Sequence, residues 1–153
     1  MLRLSKLTDY AVVVLARLAA EGGSQTAPAL ASATGIAEPT VAKVLKALAH
    51  GGLVEGRRGA GGGYRLARPL AAMTLPEVIC AIDGPIALTA CVDGATGGCE
   101  AETLCAVRGR WDKVNQAIRS ALSDITLEEL ATPPAPSCRR PTLPALPANL
   151  PAE

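Results

Sequence analysis

The chain has 153 residues, 49% hydrophobic but only 2% aromatic, so one domain or two small ones would need a core of Leu, Val, Ile and Ala. The net charge of +1 hides a division: residues 1–70 carry nine Lys/Arg against four Asp/Glu, and residues 71–131 carry four against nine. A basic half facing a polyanion fits that split. A membrane partner and a secreted disulfide scaffold do not. The early apolar run YAVVVLARLAA is interrupted by Arg17, no convincing signal peptide precedes it, and five cysteines is an odd number. The expectation is a cytoplasmic protein with reduced thiols.

In chain order, Leu4, Leu7, Ala11, Val14, Leu15 and Leu18 predict an amphipathic helix over 6–20, closed by Gly22-Gly23. Thr26 caps a short second helix over 27–34, with Pro28 in its first turn and Gly35 after its end. A third helix over 39–50 carries Val41, Val44, Leu45 and Leu48 as an inward stripe, with Pro39, Lys43, Lys46 and His50 opposite. Then RRGAGGGYRLARP places four glycines among four arginines. Gly63 is followed by Tyr64, Arg65 and Leu66 rather than Lys-Ser/Thr opening a helix, so this is not a phosphate-binding P-loop. Leu53-Val54 and Tyr64–Leu66 flank the glycines as a β-hairpin.

Three helices and a hairpin make a winged helix-turn-helix, the first 70 residues of a mainly α chain. The third helix would enter the major groove of double-stranded DNA, with Glu38, Pro39, Thr40 and Lys43 nearest the bases. Arg57, Arg58 and Arg65 would follow phosphates or the minor groove, the glycines letting the wing backbone approach closely.

A second unit spans 71–131. Thr74 and Glu77 form a capping box opening a helix that runs to Asp83 before Gly84-Pro85. Residues 86–102 lack a period and read as a functional loop. Leu104, Val107, Trp111, Val114, Ile118, Ala121 and Ile125 predict a long helix over 103–124 whose seam suits a second copy of itself, hence a homodimer. Gly109 inside that helix has no explanation in the sequence. Thr126 and Glu129 form a second capping box. From 132 to 153, seven of 22 residues are proline, which predicts an extended or disordered tail.

Cys91, Cys99 and Cys105 sit within fifteen residues. Their spacing lacks the C-x2-C pairs of zinc sites. Three thiolates can hold an iron–sulfur cluster or another metal, or act as redox thiols, and Cys105 is expected in the first turn of the long helix, where the dipole favours thiolate. Cys80 and Cys138 stand apart from the trio. His50, near a helix end, suits a phosphate or the local dipole better than a metal.

LSKLTDYAVVVLARLA, TGIAEPTVAKVLKALAHGGLV, the wing and the cysteine trio together resemble the iron–sulfur-sensing winged-helix repressors typified by IscR and NsrR, most closely the regulators of SUF-system cluster assembly. The resemblance covers residues 1 to about 131. It implies a dimeric DNA-binding regulator of a palindromic operator, controlling cluster-assembly genes, with Cys91, Cys99 and Cys105 as ligands of a [2Fe-2S] or [4Fe-4S] cluster. IscR-type members place a histidine three residues after the last cysteine, where this chain has Arg108. NsrR-type members share the TDY stretch, which points to Asp9 from the partner subunit as fourth ligand; Glu100 and Glu102 are alternatives without a motif. A carboxylate ligand makes a labile site.

Other readings stay open. A cluster-free regulator of the same fold would sense by thiol oxidation. An iron–sulfur carrier would leave the basic half without a role, and a thiol enzyme would lack a nearby histidine partner.

Overall fold

The computed structural model describes residues 4–59, 61–92, 105–107 and 109–132. Cys99, Glu100, Glu102, Leu104, Arg108, Cys138, the glycines of the cysteine loop and the proline-rich tail lie outside the described residues.

Helix α1 (Lys6–Glu21) starts where the Ser5 hydroxyl accepts the Thr8 N–H at 3.2 Å. Its inner face is Thr8, Ala11, Val14, Leu15 and Leu18. Thr26 caps α2 (Ala27–Thr34) by accepting from the Ala29 N–H at 3.3 Å, and Gly35 ends it in the left-handed region at φ +71°. Helix α3 (Glu38–His50) buries the expected stripe Val41, Val44, Leu45 and Leu48. Strands β1 (Val54–Arg57) and β2 (Gly63–Leu66) pair antiparallel, Val54 opposite Leu66 and Arg57 opposite Gly63. This is the mainly helical winged helix-turn-helix expected from the sequence.

The wing has a third rung. Gln25, between α1 and α2, donates its N–H to the Tyr64 carbonyl at 2.8 Å and accepts the Tyr64 N–H at 2.7 Å. Two wing glycines are therefore fixed by packing. A Cβ on Gly63 would stand 2.7 Å from the Gln25 carbonyl oxygen, and one on Gly62 would stand 2.5 Å from that of Arg57.

After a 3-10 turn (Leu70–Ala72), α4 (Leu75–Asp83) opens on the expected capping box, with Glu77 accepting the Thr74 N–H at 2.8 Å. Helix α6 (Leu127–Ala131) opens on the second, Glu129 accepting from Thr126 at 2.8 Å. The two helix starts are tied together: Leu127 donates to the Met73 carbonyl at 3.0 Å and Leu75 to that of Ile125 at 3.2 Å. Met73, Val78 and Leu127 continue the same buried cluster that holds Leu15, Leu45 and Leu53. Among the described residues no helix is long and apolar enough to cross a membrane.

The long helix is shorter than its heptads predict. Helix α5 spans Trp111–Ser123. Gly109 adopts φ +71°, which a continuing helix does not permit, and Arg110 closes a turn onto the Val107 carbonyl at 3.1 Å. The glycine is the start signal, and the apolar spacing through Val107 lies in that turn. Cys105 therefore stands in non-helical backbone six residues before α5, and its expected place in the first helical turn is wrong. Along α5 the buried side chain is Asn115; Trp111 and Val114 are 40% and 44% exposed, as is Val107 at 45%.

Candidate nucleic-acid interface and cysteine loop

The basic residues divide by what they touch. At the start of α3, Glu38 and Pro39 are exposed and Thr40 is half-buried; Lys43, Lys46 and His50 follow along the solvent side. On the wing, Arg57 and Arg58 are exposed. Among the described residues, none of Lys43, Lys46, Arg57 and Arg58 is engaged in an ion pair, so these cations are available to an anion. Arg65 differs: its Nε and Nη2 donate to Glu55 Oε2 at 3.0 and 2.6 Å across the hairpin. Its charge is matched inside the wing by a carboxylate on the opposite strand.

Arg68 leaves the wing to join the second unit. Its Nε donates to the Ala72 carbonyl at 2.9 Å and its Nη2 pairs with Glu77. Partial burial raises the Glu77 carboxyl's pKa, but hydrogen bonds from the Thr74 N–H and hydroxyl and from Arg68 outweigh it, so the net shift is downward. The Glu129 carboxyl is likewise lowered by its bonds to Thr126.

Cys91 and Cys105, at either end of the cysteine loop, are both free and half-buried. The Cys91 thiol lies 3.3 Å from the Thr89 hydroxyl. Cys99 is outside the described residues, and among those that are described no three His, Cys, Asp or Glu side chains converge on one point. As donors, two half-buried thiols on irregular backbone suit a soft iron–sulfur or thiol chemistry and not a hard-cation site. Asp9 is exposed on α1, next to buried Thr8, in a hollow of about 580 Å³ also lined by Leu4, Lys6, Val12 and Leu130. Cys80 is exposed on α4.

Two polar contacts around this loop escaped the sequence reading. The Thr8 hydroxyl donates to Asp83 Oδ2 at 2.6 Å, tying the N-terminal turn of α1 to the last residue of α4. Asn115 Oδ1 accepts the Leu88 N–H at 3.1 Å while its Nδ2 donates to the Ile86 carbonyl at 3.0 Å. A signal for Asn115 existed: with Ile118 and Leu122 it lies at helical spacing on the side that α5 turns inward, a face that shares only Ile118 with the expected seam. The Thr8–Asp83 pair spans 75 residues and carries no local pattern.

Comparison with known proteins points to one family. The family model Rrf2, described as an iron-dependent transcriptional regulator, matches residues 4–133. Protein aau3 of Rhizobium meliloti (strain 1021) is 33% identical over 130 residues, covering 84% of each chain. The HTH-type transcriptional regulator IscR of Escherichia coli is 30% identical over 131 residues, covering 84% of this chain and 80% of its own. Among solved structures, CymR, the global cysteine regulator of B. subtilis, superposes with a TM-score of 0.64 at 28% identity, covering 86% of this chain and 97% of its own. T. potens IscR superposes at 0.59 with 26% identity, covering 84% and 85%.

Proposed function

The chain belongs to the Rrf2 family of transcriptional regulators, and from that premise we propose that it is a homodimeric repressor that reads iron–sulfur cluster status and controls cluster-assembly genes. Like its relatives it is a DNA-binding regulator and not an enzyme. The observation that carries the cluster reading is the pair of half-buried free thiols, Cys91 and Cys105, bounding one loop. With Cys99 they would supply three soft ligands, and Asp9 of the partner subunit the fourth. The cluster, [2Fe-2S] or [4Fe-4S], would supply sensitivity to oxidants and to iron supply. Dimerisation is supported by the exposed apolar side chains Val107, Trp111 and Val114, which a copy of the same surface would cover.

Each protomer would set α3 in the major groove of one half of a palindromic operator, with Glu38, Pro39, Thr40 and Lys43 at the bases. Arg57 and Arg58 would hold phosphates, and Arg65 would keep the wing in shape. Residues 1–70 would thus read DNA and 71–131 would sense and dimerise. The experiment is a mobility shift on a palindromic probe with cluster-loaded and cluster-free protein at several salt concentrations. A salt-dependent shift whose midpoint changes with loading is expected. Equal midpoints would remove the sensing role while leaving the regulator.

One observation favours a second reading: the likeness to CymR, the global cysteine regulator, at a TM-score of 0.64. On that reading the same thiols sense by their own oxidation without a cluster. Iron and sulfide analysis separates the two.

A further inference from the structure

We propose that Asn115 is the positioning residue that holds Cys91 in register with α5. Helix α4 ends at Gly84, whose φ of +90° turns the chain away, and Pro85 follows. From there the backbone runs through Ile86, Ala87 and Leu88 towards Cys91 over a cavity of about 330 Å³, whose apolar walls include Ile79, Ile118 and Leu122. Ile86 packs against the core cluster, but the hollow leaves packing beneath the strap incomplete, and a further contact is available to fix it. Asn115, a residue only 4% exposed, does so with its carboxamide. Its acceptor takes the N–H of residue 88 and its donor serves the carbonyl of residue 86.

A primary amide presents a donor and an acceptor side by side whatever the pH, which a carboxylate does not. It mimics the edge of a neighbouring strand and fixes both the height and the direction of the strap. Cys91 lies three residues beyond Leu88, and the intervening Thr89 meets its thiol at 3.3 Å. Val92, the next residue, is buried and donates to the Thr89 carbonyl at 3.5 Å. The clamp therefore sits immediately before the thiol, on the helix whose neighbouring side chains Trp111 and Val114 face outward. A shift of Cys91 would reach α5 through the short Thr89-Ala90 turn and these two hydrogen bonds. At the other end of the strap, Asp83 is bonded to Thr8, beside Asp9. One continuous path joins the Cys91 turn, α5 and the α1 turn that carries Asp9.

The sensing consequence rests on Cys91 being a cluster ligand; the positioning of Cys91 does not. The test uses the full chain in its reduced, cluster-free form, as wild type, Asn115→Leu and the isosteric Asn115→Asp. Each is treated with iodoacetamide, and the labelling rate of Cys91 is followed by peptide mass, with exposed Cys80 in the same molecule as the reference. Both variants should label Cys91 about five- to tenfold faster relative to Cys80, as expected when a local tether opens without global unfolding. At the alkaline pH of the labelling, aspartate should fall on the same side as leucine, because an ionised carboxylate cannot donate to the Ile86 carbonyl.

An unchanged Cys91 to Cys80 ratio, or the two rates rising together, overturns the inference. If Asn115→Leu shows no cooperative melt, the Asn115→Asp ratio decides. A second readout uses reconstituted protein and an iron chelator: the variants should lose iron several-fold faster than wild type, and equal rates contradict the link to sensing. A wild type that takes up no cluster sinks the proposed cofactor and that link together. The labelling ratio still decides whether Asn115 positions Cys91.

Discussion

Helix α3 buries Val41, Val44, Leu45 and Leu48, while α5 buries an amide and leaves Trp111 and Val114 facing outward. The two helices have the same length, thirteen residues each, so the difference lies in their partners. Helix α3 finds its apolar partners within the protomer, in α1, β1 and α4. Helix α5 meets α4 along one side and holds the strap before Cys91 by polar contacts, while Trp111 and Val114 stay exposed. The reading head is packed on itself, whereas the cysteine region leaves apolar side chains exposed and two thiols half-buried, as the proposed dimer and cluster would require.

That contrast can be broken most sharply in the core. Leu45→Ala should destabilise the protomer by about 2–5 kcal/mol in urea unfolding, because a fully buried leucine leaves a cavity. Trp111→Ala should leave the protomer's unfolding nearly unchanged while raising the dimer dissociation constant by about two orders of magnitude in sedimentation equilibrium. If Trp111→Ala instead unfolds the protomer, α5 belongs to the core and the comparison fails.

Within the reading head, Gly63→Ala should cost about 1–3 kcal/mol by forcing the wing off Gln25, and tryptic cleavage at Arg57 and Arg58 should speed up. Arg58→Ala should weaken binding to all DNA sequences and lower the salt slope by about 1, whereas Arg65→Ala should change the slope less because Glu55 already matches its charge. Equal losses would mean that Arg65 leaves Glu55 for DNA.

The smallest effect concerns the joint between the units. Glu77 has a folded pKa below its unfolded one, so its contribution is present above the unfolded value near 4.5 and is lost as pH falls through the folded value. Glu77→Gln should lower stability by about 1 kcal/mol or less at pH 7, an exposed ion pair being weak, and the gap from wild type should close towards pH 3. A gap that widens in acid would contradict the assignment.

Much of the reading head was legible because stripes, caps and glycines are local. Ser5 apart, the helix signals at Thr26 and Gly35, and beyond the reading head at Thr74 and Thr126, were readable one by one. The start of α5 was not, since the apolar spacing continues through Val107 and only the positive φ of Gly109 marks the break. The basic wing residues were visible as charge, but the pairing of Arg65 with Glu55 depends on hairpin register. Gln25 on Tyr64, Thr8 on Asp83 and Asn115 on the strap are contacts between distant segments, which no local pattern encodes.

The most direct test of the central claim is the visible absorption of protein purified without oxygen, with iron and acid-labile sulfide measured per protomer. A visible chromophore with near-stoichiometric iron and sulfide, both lost in Cys91→Ser without loss of fold, is the predicted result. A colourless, iron-free protein that stays so after reconstitution would contradict it and move sensing to the thiols themselves.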